Sequence, residues 1–341
     1  MLDAALDDEK RCFYELFVLK EACLIIMKDK FGRTITYLRL SVTDLCNLRC
    51  KYCMPEAGVC KKNHEEMLSE DEMIMAVEAA AALGIKKIRI TGGEPLVKKN
   101  IISICERVGK IPGIEEVCVT TNGVLLKEYA QGLRQAGVKH LNISLDTLKP
   151  DRFREITRIG NLAKVLDGIE EALKVGFEKI KLNAVLMRGV NDDEIKDLAQ
   201  LTLDRPLDMR FIELMPMEAT AMERGAYLPV QKVLEVLPEL EALSVEGVAK
   251  IYRLPGAKGK IGLISPVSDN FCAGCNRIRL TADGKFKPCL HSPEEFSIKG
   301  MDFEGMLEQT QRAVLAKPEQ HEDFTGNKVS KAERSMNAIG G

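Results

Sequence analysis

The chain has no tryptophan, only four histidines, and aromatic residues at just 5% of its 341 positions. The missing tryptophan leaves no aromatic membrane belt and no large stacking platform. A dominant charge is missing too. The formal net charge is −2, which argues against binding nucleic acid by bulk electrostatics and leaves room only for a local basic pocket. Nor is there a clean apolar run. The stretch CFYELFVLKEACLIIM at 12–27 is interrupted by Glu15, Lys20 and Glu21, so it neither spans a bilayer nor ends in a signal-peptide cleavage pattern. What remains, 45% hydrophobic and 29% charged, is the balance of a soluble globular chain long enough for one large domain or two.

Cysteine is present in excess, with eleven in the chain. A reducing cytosol makes clustered thiols a sign of metal or redox chemistry rather than of disulfides, so a cytoplasmic location is expected.

From residue 36 onward short β-branched runs alternate with helical patterns. Strands are expected at 37–43, 86–91, 116–121, 138–145, 179–186 and 208–214, with helices near 69–83, 98–110, 124–136, 161–176 and 191–203. Ser69 with Glu72 reads as a capping box, and Gly84 and Gly137 as helix stops. Six β/α repeats require a parallel sheet. Polar residues gather at or just past the strand C-termini (Glu94, Thr120–Asn122, Ser144–Asp146, Asn183, Glu213–Met215), the face on which barrels build active sites. The expected fold is α/β, a partial (β/α)6 TIM-like barrel over 28–225. A smaller C-terminal region, 226–341, holds a helix near 229–237, a Gly/Pro-rich stretch and a TADGK hairpin.

Two groups of three cysteines stand out: CNLRCKYC (Cys46, Cys50, Cys53) and FCAGC…PC (Cys272, Cys275, Cys289). Isolated Cys105 and Cys118 read as core, but three thiols within eight residues form a soft-ligand cluster suited to zinc, copper(I) or iron–sulfur. A closed zinc site needs a fourth ligand. His64 and Cys60 are the nearest candidates for the first group, and His291 would complete a Cys3His set in the second. An iron–sulfur cubane on three thiolates instead leaves one iron open to a small molecule. Arg277 and Arg279, two apart on a strand, face the same way beside the second group and suit phosphate or purine acceptors.

The Cys-x3-Cys-x2-Cys spacing, Tyr52 before the last cysteine and GGEP at 92–95 resemble the radical S-adenosylmethionine (SAM) superfamily. Within it, DKFGR, IRITGGEPL, TTNG, NISLDTL, FIELMP, FCAGCNRIRLTADGKFKPCL and MNAIGG resemble, in order, the GTP 3′,8-cyclase family over residues 28–341. That resemblance implies a [4Fe–4S] cluster on Cys46, Cys50 and Cys53 that binds SAM beside Tyr52, Gly93, Ser144 and Met215. It implies a second [4Fe–4S] cluster on Cys272, Cys275 and Cys289 that takes the guanine of GTP. Arg39, Arg89, Thr120, Lys181, Arg277 and Arg279 match GTP-contacting positions, the last two being the catalytic candidates.

The implied reaction is radical. A deoxyadenosyl radical from SAM removes the ribose 3′ hydrogen, and C3′ then attacks guanine C8. The product is (8S)-3′,8-cyclo-7,8-dihydroguanosine 5′-triphosphate, the first intermediate of molybdopterin (molybdenum cofactor) biosynthesis. The implied partners are a one-electron donor, a second copy of the chain and the downstream cyclic pyranopterin monophosphate synthase, with no nucleic acid or membrane. The tail at Gly340–Gly341 is expected to reach the active site. Two features depart from the family: Leu45 where arginine is usual, and His291 after the last cysteine. Residues 1–26 have no counterpart in the resemblance, so translation from Met27 is expected. Two other functions fit parts of the sequence: a radical SAM enzyme acting on a peptide, and a zinc-binding protein without catalysis.

Overall fold

The computed structural model describes residues 27–59, 62–217, 224–322, 324 and 329–340. The region before Met27, Cys60 and Gly341 lie outside them. Strands β1 (Tyr37–Ser41), β2 (Lys87–Thr91), β3 (Glu116–Thr121), β4 (His140–Ser144), β5 (Lys179–Leu186) and β6 (Asp208–Glu213) pair in sequence order, every pair parallel. Their crossovers are helices α1 (Glu70–Ala82), α2 (Ile101–Gly109), α3 (Leu126–Gln135), α4 (Pro150–Thr157), α5 (Leu162–Val175) and α6 (Ile195–Asp204). The Ser69–Glu72 capping box forms in both directions. Gly84 and Gly137 take the positive φ that ends a helix. Among these crossovers the helix absent from the sequence reading is α4, whose eight residues give too short a pattern to show a period; the thirteen-residue helix Phe303–Leu315, beyond the repeats, was not expected either.

The strands after residue 225 do not form a sheet of their own. Strands β7 (Glu241–Glu246) and β8 (Ala249–Arg253) make a hairpin that continues antiparallel into β9 (Ile261–Ile264), and β9 lies parallel on β6. At the other edge β10 (Arg277–Leu280) lies parallel on β1, followed by β11 (Lys285–Lys287) and β12 (Phe296–Ser297). The result is one twelve-stranded sheet in which residues 265–276 pass from one edge of the six-stranded unit to the other. This sheet curls. Arg210 on β6 is perturbed by Tyr37 on β1 and Arg89 on β2, yet a flat sheet would put β6 and β1 ~24 Å apart. The six-stranded partial barrel therefore stands, with two extra parallel strands on its edges.

The two faces of the sheet differ sharply. Leu38, Leu40, Ile88, Ile90, Leu141, Ile143, Leu182 and Phe211 face the helices in one continuous apolar core. The alternate residues face the lumen: Arg39, Arg89, Thr120, Asn142, Lys181, Arg210 and Arg279, set side by side by the strand register. A period of two thus sorts oil to the helices and charge to the interior.

Candidate active site

The first cysteine group follows β1, at the C-terminal mouth of the barrel. Its loop packs against the GGEP segment so closely that no side chain fits there. A Cβ on Gly93 would lie 2.4 Å from the Leu45 carbonyl oxygen. Backbone bonds from Gly93 N–H to Thr43 and from Glu94 N–H to Leu45, both 2.8 Å, lock the two segments together. Glu94 in turn accepts from Leu96 N, Thr121 Oγ1 and Asn122 N, tying this loop to the end of β3. Arg49 donates to the Cys46 and Leu48 carbonyls, so a guanidinium reaches this loop although Leu45 is uncharged. Tyr52 Oη donates to Asp146 Oδ2 at 2.7 Å, which joins the loop to the end of β4 near Ser144. Met215 follows β6 on the same mouth.

Burial pushes all three thiols up, Cys46 to about 11, Cys53 to about 12 and Cys50 likewise upward. Only a bound cation would ionise them. Three soft thiolate donors to a group suit a polynuclear iron–sulfur cluster, which needs no fourth protein ligand.

The second group sits at the opposite end. Cys272 and Cys275 precede β10, and Cys289 follows the antiparallel β11, so all three lie at the N-terminal end of the strands. Cations surround this group. Burial alone would raise the Cys275 thiol, but Lys317 and Arg277 bring it below its ordinary value; His321 does the same for Cys272. Lys317 is itself buried, its Nζ donating to the carbonyls of Arg277 at 2.9 Å and Pro288 at 3.0 Å. Arg33, from the DKFGR segment, clamps the Cys272 carbonyl at 2.8 Å and is held by Asp29. His291 Nδ1 is 2.9 Å from Ser330 Oγ, and its ring packs on His321 and Phe324. Burial, then His321 and Arg279, pull it down to about 3, so it is neutral.

Between the two ends lies a lumen with more positive than negative charge. Burial and then Arg279 hold Arg39 well below its ordinary value, and burial and then Arg277 bring Arg279 down to about 10. Lys181 is depressed to about 7 by burial and then by Arg210. Arg89 donates to Tyr37 Oη and, at 3.4 Å, to Thr120 Oγ1. Arg277 lies over the rings of Tyr37 and Phe271. Gly340 closes the site from the chain terminus: its carbonyl accepts from Arg279 Nη1 at 2.6 Å and Arg39 Nε at 3.2 Å. A Cβ there would meet Thr91 Oγ1 at 2.4 Å, and φ is +76°, so only glycine fits. Arg334, forked between Asp283 and Glu295, and Asn337, bonded to the Asp44 carbonyl, hold this tail in place.

Two families of sequence match the chain: the radical SAM superfamily at residues 40–202 and Molybdenum Cofactor Synthesis C at 207–323. A GTP 3′,8-cyclase of Alkaliphilus metalliredigens is 48% identical over 321 residues, covering 92% of this chain and all of that one. One from Moorella thermoacetica is 46% identical over 329 residues, with 92% and 100% covered. This chain belongs to the GTP 3′,8-cyclase family. Among solved structures, Streptococcus suis SuiB shares the fold with a TM-score of 0.61 at 15% identity, covering 81% of this chain and 65% of SuiB. The same protein bound to SAM gives a TM-score of 0.60 at 15% identity, covering 75% and 60%. As a radical SAM member of the GTP 3′,8-cyclase family, the chain carries a [4Fe–4S] cluster and uses SAM.

Chain order puts Tyr52, Gly93, Ser144 and Met215 past the C-terminal ends of their strands or at them, beside the first cysteine group, and strand register sets Arg39, Arg89, Thr120, Lys181, Arg277 and Arg279 on the inner face; Cys60 and Gly341 lie outside the described residues. The structure also adds residues of this family member that motif reading passed over. Arg210 and Asn142 face the lumen at mid-strand. They lie at even spacings from Ile212 and Ser144, so the period of two could have found them. Cys118, read as core, is buried but faces the lumen, where its thiol donates to Glu116 Oε1 at 2.8 Å. Glu116 also takes Lys87 Nζ at 2.6 Å and His140 Nδ1. That triad is thus a closed hydrogen-bond network with its own ammonium, beside Arg89, and unsuited to a dication. Among the described residues no helix is long and apolar enough to cross a membrane.

Proposed function

We propose that the protein joins C3′ of GTP to C8 of its guanine, using SAM as co-substrate, the first step of molybdopterin biosynthesis. The observation that carries this reading is the cationic lumen between two three-cysteine sites at opposite ends of one barrel. When bound, the cluster at the upper mouth supplies the electron that splits SAM. Cys46, Cys50 and Cys53 would hold it, with three thiolates leaving one iron for the amino acid end of SAM. Tyr52, Gly93, Ser144 and Met215 line the space beside them. Cys272, Cys275 and Cys289 would hold a second cluster, to which guanine is brought; Lys317 and Arg277 favour the thiolate of Cys275, and His321 that of Cys272. Arg39, Arg89, Thr120, Lys181, Arg277 and Arg279 bind the nucleotide between the two. Their cations supply the charge that a triphosphate lacks. The Gly340 carbonyl, set on Arg39 and Arg279, keeps both guanidiniums aimed at one point. A cytoplasmic location, a homodimer, a one-electron donor and transfer of product to cyclic pyranopterin monophosphate synthase complete the reading.

Anaerobic reconstitution tests it. The expected result is about eight irons per chain and, with GTP and SAM, equal amounts of 5′-deoxyadenosine and cyclised nucleotide. A colourless zinc protein, or deoxyadenosine without cyclised nucleotide, would refute it.

Lys181 makes GTP binding depend on pH. With its pKa lowered to about 7, the free side chain loses its proton as pH rises through 7, and an arriving triphosphate must restore it. Affinity for GTP should therefore fall above pH 7, by up to about tenfold per pH unit for one proton. Calorimetry in buffers of different ionisation enthalpy should show proton uptake on binding, and Lys181→Met should flatten the slope. Equal affinity at pH 7 and 9 in the unsubstituted protein would contradict the assignment.

A further inference from the structure

Three buried side-chain atoms facing the barrel lumen have no hydrogen-bond partner: Oδ1 of Asn142, Oδ1 of Asn183 and Nε of Arg210. A fourth, Nε of Arg253, is on β8, outside the six-stranded unit. Native interiors leave few polar atoms unsatisfied, so three on neighbouring strands point to a ligand that completes them. Asn142 and Arg210 are 8% and 9% exposed, which leaves bulk water little access to either.

Strand register places these atoms within the site. Asn142 stands opposite Thr120 on one side and Lys181 on the other; Asn183 stands opposite Ser144 and Arg210. The two asparagines are thus diagonal neighbours on one sheet face, ~7–8 Å apart at the backbone and closer at their side chains. Thr120 and Lys181 belong to the nucleotide set and Ser144 to the SAM set, so the pair lies at the seam between the two substrates.

The unpartnered amide atoms are carbonyl oxygens, and each asks for a donor. A triphosphate at neutral pH offers acceptors, which suit Lys181 and Arg210 but not these oxygens. The donors on GTP are the ribose hydroxyls and the N–H groups of guanine. The second cysteine site lies at the N-terminal end of β10, on the far side of β1 from β4 and β5. Guanine placed there leaves the ribose hydroxyls for the asparagines. Two vicinal hydroxyls, each with a bond of ~2.7–2.8 Å, span the gap between diagonal side chains.

We propose that Asn142 and Asn183 accept hydrogen bonds from the ribose hydroxyls of the nucleotide, hold the 3′ carbon toward the SAM side of the lumen, and make the site selective for ribonucleotides. This rests on the reading of the lumen as a GTP site. An amide lost here leaves a hydroxyl unpaired; a hydroxyl lost from the nucleotide leaves an amide unpaired.

Calorimetry on the anaerobically reconstituted protein, without turnover, tests the pair with GTP, 2′-deoxy-GTP and 3′-deoxy-GTP. The unsubstituted protein should prefer GTP over at least one deoxy analogue by about tenfold or more, the worth of one hydrogen bond. Asn142→Ala or Asn183→Ala should shrink that preference toward unity. Asn142→Asp, which keeps an acceptor in place, should retain it, an outcome a purely structural role would not give. Preference unchanged in both alanine variants, or none in the unsubstituted protein, would overturn the proposal while leaving the GTP site standing. No GTP binding by the unsubstituted protein would instead bring down the reading on which the proposal rests. Should the alanine variants not fold, the analogue series and Asn142→Asp decide it.

Discussion

Cys53→Ser should yield a protein that forms no measurable 5′-deoxyadenosine from SAM and holds about four irons instead of about eight. Serine offers a hard hydroxyl that does not ionise near neutral pH, where the cluster needs a soft thiolate. The site offers no help. Burial has already pushed the Cys53 thiol to about 12, and neighbouring Cys46 adds to the push, so iron alone drives ionisation here. The remaining four irons should sit on Cys272, Cys275 and Cys289, at the other end of the barrel. Iron counts, Mössbauer spectra and a deoxyadenosine assay give the answer together. Deoxyadenosine at the unsubstituted rate would remove Cys53 from the cluster.

The second large effect is expected at Arg277. Arg277→Ala should keep the iron content of the unsubstituted protein but weaken GTP binding by roughly 10- to 100-fold, the worth of one charge-assisted hydrogen bond. Arg277 lies over Tyr37 and Phe271 at the lower end of the lumen, between the second cysteine site and the cations above it. Its charge also helps hold Cys275 as a thiolate, but Lys317 does so more strongly, so the cluster should persist without it. A GTP titration beside an iron count separates the two roles. Unchanged GTP affinity would strip Arg277 of its place in the site. Lost iron with normal affinity would make it a support for the second cluster instead.

Much of this molecule was legible because its signals are local. The six parallel strands follow from alternating β-branched runs and helical periods, and their bounds agree within a few residues. Ser69 and Glu72 announced a helix start because a capping box involves only neighbouring residues. The cysteine groups were legible for the same reason: each has at least two of its cysteines within four residues. Arg210 and Asn142 were passed over because a lone arginine or asparagine within a strand carries no motif. Only the register of adjacent strands shows that they stand beside Asn183 and Lys181. Lys317 and Glu116 stayed silent too, since their partners lie far away in sequence or across the sheet.

The sequence alone determined the chemistry the site can offer: which side chains are soft donors, which carry positive charge, and which glycines allow a close approach. Side-chain identity and short spacing decide those matters, and neither depends on the rest of the chain. The tertiary structure decided where that chemistry happens. Placing β10 parallel on β1 sends the second cysteine group to the opposite end from the first, although nothing in CNLRCKYC or FCAGC specifies an end. Curling the sheet then turns six separate strand faces into one enclosed, positively charged space. Strand order and curvature arise from packing the whole apolar face against its helices, a property of the assembled chain that no single segment contains.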